Sequence, residues 1–238
     1  MKQQARVVAI IQARVGSSRL PGKVLMDIGG QPALGQMIKR VKRARTLDQV
    51  LVCVPDNRAD DAIVELCDGL GVKCVRGSEK DVLGRYVIAA EQSGGSTIVR
   101  LTGDCPMSDP RVIDKAVGCF LSGTADYVSN CNRRTFPDGL DVEVFSLEAL
   151  LQAEKCAKEE FSREHVTPYI RGVHPGLLWG DFERVDLVNP INLGHVRWTL
   201  DTSQDLARIR ELFAGLPEEF CWEDALSLAT RYPHLLGV

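Results

Sequence analysis

The feature that most constrains this chain is the regular alternation in its first half. Val7-Val8-Ala9-Ile10-Ile11 is an unbroken apolar run rich in β-branched residues, the pattern of a strand buried on both faces. Pro32 to Arg45 then reads as a helix: Leu34, Met37, Ile38 and Val41 share one face, and Pro32 suits the first turn. The pair of patterns repeats. Gln49 to Val54 predicts a strand, and Asp60 to Leu70 a helix with Ile63, Leu66, Cys67 and Leu70 on one face, closed by Gly71. Val72 to Val75 predicts a strand and Asp81 to Gln92 a helix; Thr97 to Leu101 predicts a strand and Pro110 to Leu121 a helix. Such alternation predicts an α/β fold, a mostly parallel sheet with helices on both faces. Ligands of these sheets bind at the carboxyl ends of the strands. The loops after Ile11 and after Leu101 are therefore the first places to look for a site.

The second half changes character. Leu140 to Phe145 sets Leu140, Val142 and Val144 against Asp141 and Glu143, predicting a half-exposed strand. Leu147 to Lys155 and Phe161 to Arg171 predict helices, the second kinked or shortened at Pro168. His195 to Leu200 predicts a strand, followed by helices from Ser203 to Phe213 and near Trp222 to Thr230. Mixed strand pairing is expected here, within a small lobe over one side of the sheet. No linker interrupts the 238 residues, so one domain is expected.

Charge and cysteine usage narrow the partners. The formal net charge is −3, so no global basic field draws the chain to nucleic acid or an anionic membrane. An anionic ligand must be met by a local cluster. Of the eight cysteines no two form a Cys-x-x-Cys pair, which argues against a zinc site. Cys53 lies in the apolar run Leu51-Val52-Cys53-Val54, where a thiol behaves as a small hydrophobe. A reducing cytoplasm is the expected compartment. The apolar run ending at Gln12 is too short to span a membrane.

The loop after the first strand runs Gln12-Ala13-Arg14-Val15-Gly16-Ser17-Ser18-Arg19-Leu20-Pro21-Gly22-Lys23. It concentrates Arg14, Arg19 and Lys23, two hydroxyls and two glycines at the ligand end of a buried strand. Glycines let backbone amides turn toward an anion. Arg offers a planar fork to phosphate oxygens, and Lys a point charge. A triphosphate needs such a cradle, because charge develops on its leaving pyrophosphate. The spacing is not that of a Walker loop: five residues separate Gly16 from Gly22, and Val24 follows Lys23. A solvated basic turn is the plainer reading of the same residues.

Two carboxylates complete the picture. Asp104 follows the fourth strand in Thr102-Gly103-Asp104-Cys105-Pro106, and Asp201 ends Val196-Arg197-Trp198-Thr199-Leu200. Magnesium takes one or two protein carboxylates and fills its other positions with phosphate oxygens and water. Taken singly, Asp104 could start a turn and Asp201 could cap the next helix. Together with the cationic loop they serve one reaction.

These residues resemble the cytidylyltransferases that make CMP-activated acid sugars, such as the CMP-Kdo and CMP-sialate synthetases. The resemblance is to the branch named for spore-coat polysaccharide biosynthesis. It runs through Ser18-Arg19-Leu20-Pro21-Gly22-Lys23-Val24-Leu25, Arg76-Gly77-Ser78-Glu79, Arg100 to Pro106, Gly139 to Phe145, Arg163 to Tyr169, and Arg197 to Thr202. It implies a Rossmann-like nucleotidyltransferase fold of the glycosyltransferase-A kind and a homodimer. It implies that Ala13, Arg14, Gly16, Ser17, Ser18, Arg19 and Lys23 hold the nucleotide, with Arg19, Lys23 and Asp104 acting at the reacting phosphates. Arg100 and Thr102 are implied to approach base and ribose, and Asp104 with Asp201 to hold Mg2+. The implied reaction transfers CMP from CTP to a sugar-type acceptor for cell-surface polysaccharide. Val15, Met26 and Ser203-Gln204 depart mildly from the family pattern.

For the acceptor, Asp141, Glu143, Arg163 and His165 are candidates, with Glu164 beside them; each offers positioning or proton removal. A hydrogen-bonded structural imidazole is the alternative for His165. Two rival functions stay open at this point: a nucleotide-sugar-dependent glycosyltransferase, which needs no three-cation loop, and a non-catalytic nucleotide-binding module, which shows no metal-dependent turnover.

Overall fold

A computed structural model describes residues 5–123, 125–172, 176 and 179–237. The first half forms β1 (Val7–Gln12), the short pair β2 (Asp27–Ile28) and β3 (Gln31–Pro32), α1 (Ala33–Val41), β4 (Gln49–Pro55), α2 (Asp61–Gly69), β5 (Lys73–Gly77), α3 (Val82–Ser93), β6 (Thr97–Thr102) and α4 (Pro110–Leu121). β7 (Tyr127–Ser129), β8 (Glu143–Ser146), α5 (Leu147–Cys156), α6 (Glu160–His165), α7 (Pro168–Arg171), β9 (Arg184–Asp186), α8 (Ser203–Ala214) and α9 (Trp222–Arg231) follow. The main sheet has the order β5-β4-β1-β6-β8-β7-β9. β5, β4, β1 and β6 are parallel, β8 is antiparallel to both its neighbours, and β7 pairs β9 in parallel. The expected mixed pairing of the second half thus extends the same sheet.

Alternation along β1 divides the core. Val7, Ala9 and Ile11 face a cluster built with α1, α2, α4 and α9, while Val8 and Ile10 face one built with α3, α5 and α7. Both clusters are buried, which is why the central strands read as continuous apolar runs. Short polar caps fix the helix starts. Asp81 accepts from Gly84 N, Asp109 from Arg111 N, and Thr202 with Asp205 forms a capping box for α8.

The structure departs from the sequence expectation in three places. The Leu140–Phe145 segment is buried except at the half-buried Asp141, and its strand begins only at Glu143. The polar alternation there reflects ion pairing, with Glu143 buried against Arg100 and Asp141 half-buried against Arg134. His195 to Leu200 forms no strand of the sheet; its one ladder contact is an isolated parallel bridge between Arg197 and Asp138, itself outside the sheet. Its amides are used elsewhere: Arg197 N donates to Leu236 O, Trp198 N to Asp138 O and Leu200 N to Asp104 O.

The third departure is the helix expected over Phe161 to Arg171, which breaks completely before Pro168. Val166 adopts φ 68° and ψ −58°, and Thr167 N donates to His165 O at 2.8 Å, a γ-turn. A buried β-branched residue in that conformation costs on the order of 1–3 kcal/mol, so its surroundings must hold it there.

Candidate active site

The loop after β1 folds back on itself. Gly22 N donates to Val15 O at 2.9 Å, Leu20 N to Ser17 Oγ at 3.4 Å, and Val15 N to Asp60 Oδ1 at 2.7 Å. Gly22 sits at φ 73°, and Lys23 opens a single 3₁₀ turn, which turns its side chain inward. At the end of β6, Gly103 allows close approach: a Cβ there would lie 3.0 Å from Gln12 O and 3.1 Å from Ala13 Cβ. The hydrogen bond from Leu200 N to Asp104 O, 2.8 Å, aligns the end of the Val196–Leu200 segment beside β6. Three sequence-distant segments thereby meet.

Their meeting point is a polar cluster. Lys23 Nζ donates to Asp201 Oδ1 at 2.9 Å and to Asp104 Oδ2 at 3.3 Å. Arg19 Nη2 also reaches Asp201 Oδ1 at 2.9 Å, and Arg197 Nη2 reaches Asp201 Oδ2 at 2.7 Å. Burial works to raise the Asp201 carboxyl, but Lys23, Arg19 and Arg197 outweigh it and hold it below the usual carboxylate range. Lys23 is 12% exposed while Arg19 is 63% exposed, so one cation is fixed and the other is able to swing.

These groups open onto a cleft of about 360 Å³ at the carboxyl ends of β1 and β6. Ala13, Arg14, Gly16, Ser17, Ser18, Arg19, Lys23, Thr102, Asp104 and Asp201 all line it. So do Gln12, Val82, Arg85, Glu164 and His165. Arg14 has no carboxylate partner among the described residues and is exposed, which leaves its guanidinium for a ligand. No group of three or more metal-ligating side chains exists among the described residues. Two carboxylates bracketing a lysine ammonium could still hold a divalent cation, since the gap between them already holds positive charge and a bound polyphosphate would supply the remaining ligands.

A second, smaller pocket of about 110 Å³ shares Thr102 with the cleft and holds Arg100, Cys131, Arg134, Asp141, Glu143 and Arg171. Arg134 grips Asp141 through both terminal nitrogens, at 2.6 and 2.9 Å, and also reaches Asp138 at 2.9 Å. Arg171 Nε donates to Asn132 Oδ1 at 2.8 Å. Glu143 is buried and fully engaged. Oε1 accepts from Tyr127 Oη at 2.5 Å and Thr167 Oγ1 at 2.7 Å, and Oε2 pairs with Arg100. Burial pushes its pKa up, but Arg100 and Arg171 with those hydroxyls bring it below normal.

The site residues expected from the sequence therefore separate into three places. The loop residues, Thr102, Asp104, Asp201 and His165 converge on the cleft. Arg100, Asp141 and Glu143 belong to the smaller pocket, and Arg100 is pinned to Glu143. Arg163 lines neither; its guanidinium pairs with Asp81 and lies 3.5 Å from Glu154 Oε1. Sequence reasoning gave no role to Gln12, Arg85, Arg134 or Arg171. The positions of Gln12 and Arg134, one at a strand end and one beside the Asp138-Gly139 turn, held a signal; those of Arg85 and Arg171, inside helices, held none.

Comparison with known proteins identifies the family. The cytidylyltransferase family pattern matches residues 8–178. An uncharacterized protein of Methanocaldococcus jannaschii is 43% identical over 87% of this chain and 83% of its own. The Bacillus subtilis spore coat polysaccharide biosynthesis protein SpsF is 33% identical over 95% of both chains. The structure of a cytidylyltransferase from Leptospira borgpetersenii superposes with a TM-score of 0.91 at 32% identity, covering 98% of this chain and 97% of that one.

Proposed function

This chain belongs to the cytidylyltransferase family, and from that membership we propose that it transfers CMP from CTP to a sugar-type acceptor in cell-surface polysaccharide biosynthesis. The observation that carries the reading is Lys23 Nζ held between Asp104 and Asp201 at the mouth of the cationic cleft. In the reaction an acceptor oxygen attacks the α-phosphorus. A new P–O bond forms as the α–β bridging bond breaks, pyrophosphate leaves, and the acceptor proton departs to solvent or a nearby base. Arg14, Ser17 and Ser18 orient the triphosphate, and Arg19 and Lys23 stabilise charge on the departing pyrophosphate. Asp104 and Asp201 would hold Mg2+, which supplies Lewis-acid charge stabilisation at the phosphates.

The smaller pocket adjoins the cleft and suits the acceptor. Arg134 and Arg171 offer donors to a hydroxyl-rich or acidic sugar, Asp141 orients Arg134, and His165 and Glu164 close the cleft from α6. Glu143 supports this wall from below. Arg163 acts one step removed, by holding Asp81 at the start of α3. A homodimer through the second half of the chain fits the edge strand β9 and the exposed Trp179, Val188 and Ile191 around it, the last 69% exposed. The eight free thiols fit a cytoplasmic setting, and no helix among the described residues is long and apolar enough to cross a membrane.

Pyrophosphate release from each of the four nucleoside triphosphates, measured against a panel of acid sugars and polyols with and without Mg2+, tests the reading. Metal-dependent release with CTP and one acceptor class is expected. Hydrolysis or transfer from a nucleotide sugar, with no release from any triphosphate, would replace it with the glycosyltransferase function.

A further inference from the structure

Two buried polar atoms in the wall of the main cleft lack a hydrogen-bond partner: Gln12 Oε1 and Arg85 Nε. Gln12 ends β1, and alternation with Val8 and Ile10 places it on the α3 face of the sheet, where Arg85 also lies. Arg85 is buried and anchored, with Nη1 donating to Ser78 O at 2.7 Å. Buried polar groups in folded chains are otherwise satisfied almost without exception. An orphaned acceptor and an orphaned donor on one wall of one cleft are what a ligand with complementary edges would complete.

The charge distribution says which part of a ligand. The phosphate-seeking groups, Arg14, Arg19 and Lys23, lie along the loop. The Gln12 and Arg85 wall includes the apolar Val82, which suits a flat heteroaromatic ring, with Glu164 and His165 on the neighbouring α6. We infer that Gln12 and Arg85 receive the base of the bound nucleotide, with Gln12 accepting from an exocyclic amine and Arg85 donating to a ring acceptor. This rests on the reading of the cleft as a CTP site. A cytosine edge carries an amine donor beside a ring-nitrogen acceptor. Uracil reverses both, and a guanidinium cannot turn round to accept. The pair therefore contributes to base affinity and to the choice of cytosine over uracil.

Calorimetric titration of the full chain in Mg2+ with CTP, UTP and inorganic tripolyphosphate separates the base from the phosphates. Gln12→Leu and the near-isosteric Gln12→Met are expected to weaken CTP about tenfold, as for one lost hydrogen bond in a closed site. Tripolyphosphate affinity stays at the parent value, and the CTP–UTP gap narrows. Variants that bind CTP as tightly as the parent overturn the inference, as do variants that lose CTP and tripolyphosphate to the same extent. A parent chain that binds tripolyphosphate but neither pyrimidine triphosphate more tightly removes the CTP reading beneath it.

Discussion

Lys23 Nζ lies 2.9 Å from Asp201 Oδ1, joining residues 178 positions apart in the sequence. The same ammonium reaches Asp104, so one cation sits between two carboxylates that would otherwise repel, with Arg19 and Arg197 also on Asp201. Lys23 thus serves as a counter-ion to both carboxylates. On the proposed reading, Asp104 and Asp201 would hold the divalent cation and Lys23 would turn to phosphate oxygens, so that none of these charges would lose its partner.

Removing Lys23 should therefore affect turnover more than folding. Lys23→Met is expected to lower kcat for pyrophosphate release by about 10²–10³-fold, the scale of one lost charge-stabilising donor at a reacting centre. Asp201→Asn should raise the metal concentration needed for half-maximal rate. Steady-state rates across a magnesium titration check both. A Lys23→Met chain releasing pyrophosphate at the parent rate would remove Lys23 from the mechanism.

Acid should unfold the chain for a definable reason. The carboxyls of Asp201, Glu143 and Asp205 are all held below their ordinary values; in each, burial opposes the shift and cationic and hydrogen-bond partners win. A carboxyl with a lower pKa in the folded state is protonated first in the unfolded one. The stabilisation it gives is present above pH about 4 and is lost as pH falls through the folded value. Urea midpoints measured from pH 7 down to pH 3 should hold steady at first and then drop below about pH 4.5. A flat profile to pH 3 would contradict the ion pairing.

Glu143 is the third test. It ties β6 through Arg100, β7 through Tyr127 and the strained turn at Val166 through Thr167. Glu143→Ala leaves Arg100 buried without its carboxylate and is expected to cost about 3–5 kcal/mol. Thr167→Val, which removes only the hydroxyl, should cost about 1–3 kcal/mol. Chemical denaturation gives both figures, and Thr167→Ser should restore most of the smaller loss. Equal stabilities for all three variants would mean that the turn at Val166 is held by apolar packing alone.

Much of this site was legible before any coordinates. The alternation of apolar runs and amphipathic helices located the loops after Ile11 and Leu101, and cations, glycines and Asp104 gathered there stand out against a nearly neutral chain. Asp201 was legible because it ends an apolar segment just before a capped helix. Other parts were hidden for physical reasons. Asp141 and Glu143 alternate with apolar residues as surface groups do, and only their pairing with Arg134 and Arg100 shows that Glu143 is buried and Asp141 half-buried. β7 and β9 have three residues each, too few for any period to register. Pro168 marked the helix as interrupted, but the γ-turn at Val166 is tied through Thr167 to Glu143, more than twenty positions away, which no local pattern records.

Gly139 gives the last prediction, because it couples backbone shape to the Asp201 end of the cleft. Its φ is 103°, a region L side chains rarely adopt, and an added Cβ would lie 2.7 Å from Trp198 C and 2.8 Å from Trp198 O. The obstruction is backbone, so no rotamer change relieves it. Gly139→Ala must push the Val196–Leu200 segment away from the Asp138 bridge, and Asp201 follows directly after that segment. Strain and lost packing of the buried Trp198 together should cost on the order of 2–4 kcal/mol. The displaced Asp201 should also weaken metal dependence in whatever fraction stays folded. Thermal melts and a magnesium titration of the same variant read the two effects separately. A Gly139→Ala chain with parent stability and parent metal response would show that the segment carrying Asp201 is free to move without consequence for the site.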